Sequence, residues 1–523
     1  MRIPSIPFKV LALAPFGFEL QEAWKKAPVP IDLSDLDHVI ESLGIFGYFS
    51  LSRDLCPAGG VEIKIFRLKD FHPDALIKSN SFLGHLQDAR QVLSDSNLSS
   101  AEKRQMIKDW QDLPDLPIAD APPKANETGK EAATELDNIL NMVAMPEAGG
   151  SAPSASVSGD NPADAIMQAV LADIYSDKSF KAAEAAWRGV KRLLQQGAQS
   201  NGDVKLEVVP VNMDTLEETI GALTVRLVDD LPSLILVDLP FENTPNSLAL
   251  LERVAQFAEI LMAPALVWAS PGLMGLDAWS GLNRLSFIPN YLDAPHFAKF
   301  NRLKSQSEAN WLAMGFNRYL PRPPYGSENP PRNFPFKEPE LAWSSPIWAI
   351  SALILQSFGE SGWPTRFTEW QVHQLSDLAV HSIDAKTAIP TETLISEDRM
   401  DQCRRAGLMA LAARANRDVV FLPMETTIGG ASLAYQLFAS RVTQFFLWCK
   451  DNLSTDLSGQ ALEQELKRMT SLLWEKSGHA GPDQLEITAS PPDEENRTLL
   501  RIDLHPSRKI LPSGEGLTLE FKW

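Results

Sequence analysis

Cysteine is scarce in this chain: three in 523 residues, Cys56, Cys403 and Cys449. An odd number of widely spaced thiols argues against a disulfide framework and fits a reducing compartment. No Cys-x-x-Cys and no Cys/His spacing of the zinc type occurs. Basic clusters are missing too. Lys and Arg total 48 against 67 Asp and Glu, a net charge of −19, which removes the nucleic-acid-binding class. Such an acidic chain needs either good solvation or partners that tolerate its field. There is no GxSxG, no Walker loop, no GxGxxG after a strand and no HExxH. The eight histidines are scattered, and none sits in a triad context.

Uninterrupted apolar runs of membrane length are absent as well. The opening MRIPSIPFKVLALAPFGFEL is broken by Lys9 and by Pro4, Pro7 and Pro15, and no small-residue cleavage pattern follows. It reads as a strand rather than a signal peptide. The run from Phe257 to Leu276 contains Glu259, Pro264, Pro271 and two glycines, so it reads as a buried helix followed by a buried strand. A cytoplasmic location and no membrane insertion are expected. Repeats of solenoid period are also lacking.

What remains is a globular composition, 44% hydrophobic and 22% charged, in a chain long enough for about two to four ordinary domains. Composition divides it into three. Residues 1–111 alternate strand-like and helix-like patterns. Residues 112–164 read as a Pro/Ala/Ser-rich linker that includes AGGSAPSASVSGDNP, with one short helix expected at residues 134–144. Residues 165–523 are globular again.

In the third region FKAAEAAWRGVKRLL (180–194) is an amphipathic helix. Phe180, Trp187 and Leu194 lie seven apart, and Glu184 and Arg188 are spaced for a helical ion pair. VKLEVVPV (204–211) alternates like a strand. LPSLILVDLP (231–240) and APALVWAS (263–270) are continuous apolar runs, as in a sheet covered on both faces, with a helical pattern from Ser247 to Leu261 between them. The order is that of a βαβ unit, and the fold class expected is mixed α/β.

Few residues invite chemistry. In VEIKIFRLKDFHPDALI, Asp70, His72 and Asp74 alternate and could chelate a cation from an extended segment. Pro73, however, suits the first turn of a helix running to Leu93, and the two carboxylates then suit its positive end. No metal and no cofactor is expected. Asp238 closes an apolar strand, where either a catalytic carboxylate or a helix cap can stand. Asn243 or Thr244 could share the capping role. Gly429–Gly430 reads as a turn. The tryptophans between Trp268 and Trp370 read as core and interface anchors rather than a sugar-stacking cleft.

Two stretches resemble the two subunits of one machine. Residues 36–93, with VEIKIF, then Asp70-Phe71-His72-Pro73-Asp74, then Leu83, Leu86, Ala89, Arg90 and Leu93, resemble the small sheath subunit of the bacterial type VI secretion system, TssB. IPFKVLALAPF resembles that family's first core strand. DKSFKAAEAAWRGVKRLL, with Phe180, Glu184, Trp187, Arg188 and Gly189, resembles the signature of the large subunit, TssC. FNRYLPRPPYG, with Arg322, Pro324, Tyr325 and Gly326, follows in that family's order, as do Phe336, Glu338 and Trp348.

The resemblance implies a fused sheath protomer in which the two regions intertwine, with mixed sheets flanked by helices. A tether would raise their effective concentration to roughly the millimolar range. It implies a helical tube of copies of this chain around an inner-tube ring protein, contacts with baseplate proteins, and a AAA+ recycling ATPase as a further partner. It also implies assembly by donated strands, for which GLTLEFKW (516–523), with Leu517, Leu519 and Phe521 on one face, is the candidate. Departures exist. Only MRIPS precedes IPFKV, so the extra N-terminal strand of the small subunit is expected to be missing, and the lead before the WRG helix is short. The alternatives are a non-polymerising adaptor or cap at the baseplate and, in another class, an α/β hydrolase using Asp238 and a nearby histidine.

Overall fold

A computed structural model of the chain describes residues 6–19, 27–118, 161–199, 203–454, 457, 459–491 and 497–523. The helix expected at residues 134–144 lies outside them, as does most of the linker. Helical structure resumes at Pro162, inside the segment read as linker, because Asn161 caps a helix that runs to Ser176.

At the centre is a seven-stranded sheet in the order Leu408–Ala410, Leu312–Phe316, Ala265–Ala269, Leu234–Phe241, Phe8–Ala14, Val204–Pro210 and Val29–Ile31. The first six are parallel, and Val29–Ile31 pairs antiparallel at the edge. The strand from the N-terminal region thus lies between two strands from the C-terminal region. Phe8 to Ala14 pair with Val204 to Pro210 on one side, and Val10 to Leu13 with Leu234 to Val237 on the other. All seven of its residues are buried, as the apolar run requires when both faces are covered. Lys9 fits because its ammonium leaves the core for Asp230 at 2.6 Å and Glu207 at 3.0 Å.

One face of the strand, with Val10 and Ala12, packs into a core containing Trp187, Trp348 and the buried apolar residues of 36–89. The other face, with Leu11 and Leu13, packs against helices Leu216–Arg226 and Pro245–Ile260. The chain is a mixed α/β protein whose two regions are intertwined through one sheet. The expected βαβ unit is present as Leu234–Phe241, Pro245–Ile260 and Ala265–Ala269. The capping guess resolves in favour of Thr244, whose hydroxyl accepts the Ser247 N–H.

The remaining N-terminal elements form a satellite. A hairpin of Ile45–Ser50 and Gly60–Ile65 leads through a 3₁₀ turn into helices Pro73–Ser79 and Ser81–Ser94. One helix was expected from Pro73 to Leu93. Asn80 breaks it by leaving helical geometry (φ −102°, ψ 126°), and its Oδ1 accepts the Leu83 N–H to start the second helix. At the C-terminus three antiparallel strands, Gln484–Ala489, Leu499–His505 and Leu517–Lys522, lie against helix Gly459–Lys476.

Candidate functional site

The sequence motifs meet at one junction. Helix Lys178–Gln199 carries Phe180, Glu184, Trp187, Arg188 and Gly189. Phe180 is fully buried among rings supplied by both regions: Phe18, Phe49 and Phe71 from the N-terminal one and Tyr175 from the preceding helix, with centroids 5.0 to 6.0 Å away. Trp187 is fully buried, and its indole N–H donates to the Phe16 carbonyl at 2.9 Å. Gly189 is required by a neighbour: a Cβ there would sit 2.3 Å from the Trp348 ring on helix Pro346–Ser361. Trp348 in turn donates its indole N–H to Asp238 at 2.6 Å.

Glu184 makes the expected i,i+4 pair with Arg188 at 2.8 Å. It also receives Arg322, 138 residues away, through Nε at 2.7 Å and Nη2 at 3.0 Å. Arg322 places both Nη atoms on Glu338 at 2.8 Å. All three side chains are nearly inaccessible. Burial alone would raise the Glu184 carboxyl pKa, but Arg322 and Arg188 outweigh it and hold the group below the usual range. Two cations and two carboxylates leave this buried cluster neutral. The Tyr325 ring lies 4.2 Å from the Arg322 guanidinium carbon, and its backbone N–H donates to Glu338. Burial pushes the Tyr325 phenol up to about 12. Pro324 and Gly326 shape the turn, where Gly326 and Asn329 exchange backbone hydrogen bonds.

The DFHPD segment joins the same place. Phe71 is buried, and its carbonyl accepts the Tyr175 hydroxyl. His72 packs edge-on against Tyr325 at 5.1 Å. Asp74 stands in the first turn of the Pro73 helix, at its positive end as expected, but neither it nor Asp70 is the N-cap. Pro73 opens it, and His72 Nδ1 accepts the Asp74 N–H at the N-cap. Asp70 instead accepts the backbone N–H groups of Phe66 and Arg67 and closes the 3₁₀ turn before it. Asp74 reaches across to the far region and accepts the N–H groups of Arg332 and Asn333 at 3.0 and 2.8 Å. The carboxylates are committed to backbone. Among the described residues no three His, Cys, Asp or Glu side chains gather as a metal site. Arg90 adds a second clasp, with Asp164 at 2.6 Å and the Asn333 carbonyl at 3.1 Å.

Sequence reading missed Tyr175, the partners of Asp74 and the Arg322–Glu184 contact. Each joins residues more than a hundred positions apart, and no local periodicity encodes that.

The strand Leu517–Lys522 is not free, as it was expected to be. It pairs with Leu499–His505, Phe521 opposite Leu500 and Leu519 opposite Ile502, with Leu517 buried. Its hydrophobic alternation is satisfied within the chain, next to Phe446 and Trp523. Among the described residues no further strand pairs along the outer edges of this three-stranded sheet, Gln484–Ala489 and Leu517–Lys522. Asp238 lies in its strand, 7% exposed, and burial raises its carboxyl pKa against the hydrogen bond from Trp348. No histidine lines the cleft it faces, so the Asp–His pair of the hydrolase reading is not assembled there. Among the described residues no helix is long and apolar enough to cross a membrane.

Residues 232–428 match the family described as "EvpB/VC_A0108, tail sheath N-terminal domain" (VipB). The chain is similar to the type VI secretion system sheath protein TssC1 of Pseudomonas aeruginosa, 24% identical over 289 residues, which is 49% of this chain and 57% of that one. The chain thus spans little more than half the length of this curated relative. Among solved structures it matches the helical sheath of the anti-feeding prophage in the contracted state, at 10% identity over 63% of this chain and 76% of that one, TM-score 0.33. It matches the baseplate of the same particle at 11% identity over 64% and 76%, TM-score 0.32.

Proposed function

We propose that this chain is a structural protomer of a contractile sheath of the type VI secretion class, in which one polypeptide supplies what the small and large sheath subunits supply separately. The observation that carries it is the match of residues 232–428, which include four of the seven strands of the central sheet and the RPPYG loop, to the tail sheath domain family. The structure supports the fused form. A strand from residues 8–14 occupies the middle of a sheet whose other long strands come from residues 204–410, so the C-terminal part alone is an incomplete body.

In this reading copies of the chain assemble into a helical tube, since heterologous contacts that do not close produce filaments. The open edges of the C-terminal three-stranded sheet are where a neighbour's strand adds main-chain hydrogen bonds. The tube surrounds an inner-tube ring protein, starts on a baseplate and is recycled by a AAA+ ATPase. Contraction is a switch between two packings and requires no nucleotide site in the protomer.

Negative-stain microscopy of the purified chain, with and without the inner-tube protein, tests it. Tubes are expected. Monodisperse particles under both conditions would favour the adaptor or baseplate-cap role, and a catalytic turnover would end the structural reading.

A further inference from the structure

A cleft of about 870 Å³ opens across the carboxyl ends of the parallel strands. Pro15, Pro240, Ser270 and Arg318, each at or just past the end of a different strand, contribute to its rim. This is the crevice where ligands settle on open parallel sheets, at a point where strand order reverses, and its volume is in the small-molecule range. The walls are largely apolar, with Trp268, Trp343, Leu341 and Met213.

The polar groups at its base are short of acceptors. Arg318 donates Nη2 to Glu392 at 2.7 Å and stands 5.9 to 6.0 Å from the Trp268 and Trp343 ring centres, yet its Nε is buried without a partner. The Trp268 indole N–H is buried and also unpartnered. Ser345 is 4% exposed and holds the N-cap position of the sixteen-residue helix Pro346–Ser361, but its hydroxyl neither caps the helix nor makes another hydrogen bond. Ser345 and Trp268 stand near enough to Asp238 to ease its ionisation without reaching hydrogen-bond geometry. Asp238 already accepts the Trp348 indole N–H. Lys178 and Lys181 stand on the same wall in the first turn of their helix, and only Lys181 is paired, with Glu340, among the described residues. Orphaned donors at a helix N-terminus seek an anion.

We propose that this cleft binds a small amphipathic carboxylate, its apolar body against Trp268 and Trp343 and its oxygens on the Arg318 Nε–H, the Trp268 indole N–H and the Ser345 hydroxyl. The site is independent of the assembly reading, since both intertwined regions line it within one chain.

Isothermal titration of the full chain tests it with three matched compounds: 4-phenylbutyrate, its uncharged amide and 4-phenylbutylamine. The carboxylate is expected to bind one to one with Kd on the order of 0.1–1 mM, and at least roughly tenfold tighter than the amide or the amine. Arg318→Gln should weaken it roughly tenfold or more. Because Arg318 also holds Glu392, Ala182→Phe serves as the second variant. It fills the cleft from the helix wall without removing a donor, and should abolish binding while the melting temperature stays at the wild-type value. Equal binding of the three compounds, binding of none, tighter binding of the amine, or carboxylate binding that survives Ala182→Phe would each overturn the proposal.

Discussion

Two buried residues hold the junction, and they act by different physics. Trp187 acts by volume. It is fully buried, and it also satisfies the Phe16 carbonyl of the N-terminal region. Trp187→Ala is expected to cost about 3–5 kcal/mol, read as a lowered midpoint in urea unfolding. Arg322 acts by charge. Removing it leaves Glu184 and Glu338 buried and facing each other, so Arg322→Met is expected to cost about 3–5 kcal/mol near neutral pH. The pH dependence has a definite sign. The Glu184 carboxyl is held below its ordinary value in the folded chain, so its contribution is present above the unfolded-state value and is lost as pH falls through the folded one. The difference between wild type and Arg322→Met should therefore shrink on acidification. Asp238 has the opposite sign. Its folded value is raised, so the stability it contributes is full below the ordinary aspartate range and is lost as pH rises through the raised value. Asp238→Asn should flatten that loss, and unfolding midpoints measured from pH 3 upward would show both slopes.

At the scale of elements, what was legible in the sequence is what is local. Lys178–Gln199, Val204–Pro210, Pro245–Ile260 and Ala265–Ala269 follow from periodicity because each buries a face set by its own pattern. The break at Asn80 was not legible. The segment keeps a helical rhythm through it, and the Asn80 side chain holds the residue outside the helix by donating Nδ2 to the Glu62 carbonyl at 3.0 Å and accepting the Leu83 N–H on Oδ1. Asn80→Ala should cost about 1 kcal/mol by loss of the cap, measured by thermal unfolding. The partner of the C-terminal strand was not legible for a related reason. Alternation in Leu517, Leu519 and Phe521 announces a strand with one buried face but does not name the strand it joins. Since Leu517 is buried in the chain's own core, deleting residues 516–523 should lower the melting temperature as well as block assembly. A truncated chain that melts like the wild type would show that the strand contributes only between protomers.

At the scale of the whole molecule the boundary drawn by composition is real in sequence and absent in space. Residues 1–111 and 165–523 differ in pattern, and the Pro-rich segment between them reads as a tether. Yet the first strand is the inner strand of the second region's sheet, and Asp74, Arg90 and Phe71 all find their partners beyond residue 160. Single-sequence reasoning could place the motifs but not this topology, because parallel pairing between residues 8 and 204 leaves no local mark. A protease site inserted between residues 119 and 160 separates the two accounts. If the tether alone joins two bodies, the cut halves should part on gel filtration. If the shared sheet joins them, they should elute together at the intact size and part only in denaturant. Expressed alone, residues 161–523 would expose the edges of Val204–Pro210 and Leu234–Phe241 where Phe8–Ala14 belongs, two unpaired strand edges at the centre of a core. That fragment is expected to aggregate, and co-expression with residues 1–118 to restore it to solution. A monomeric, cooperatively melting 161–523 fragment would mean that the sheet closes without its central strand.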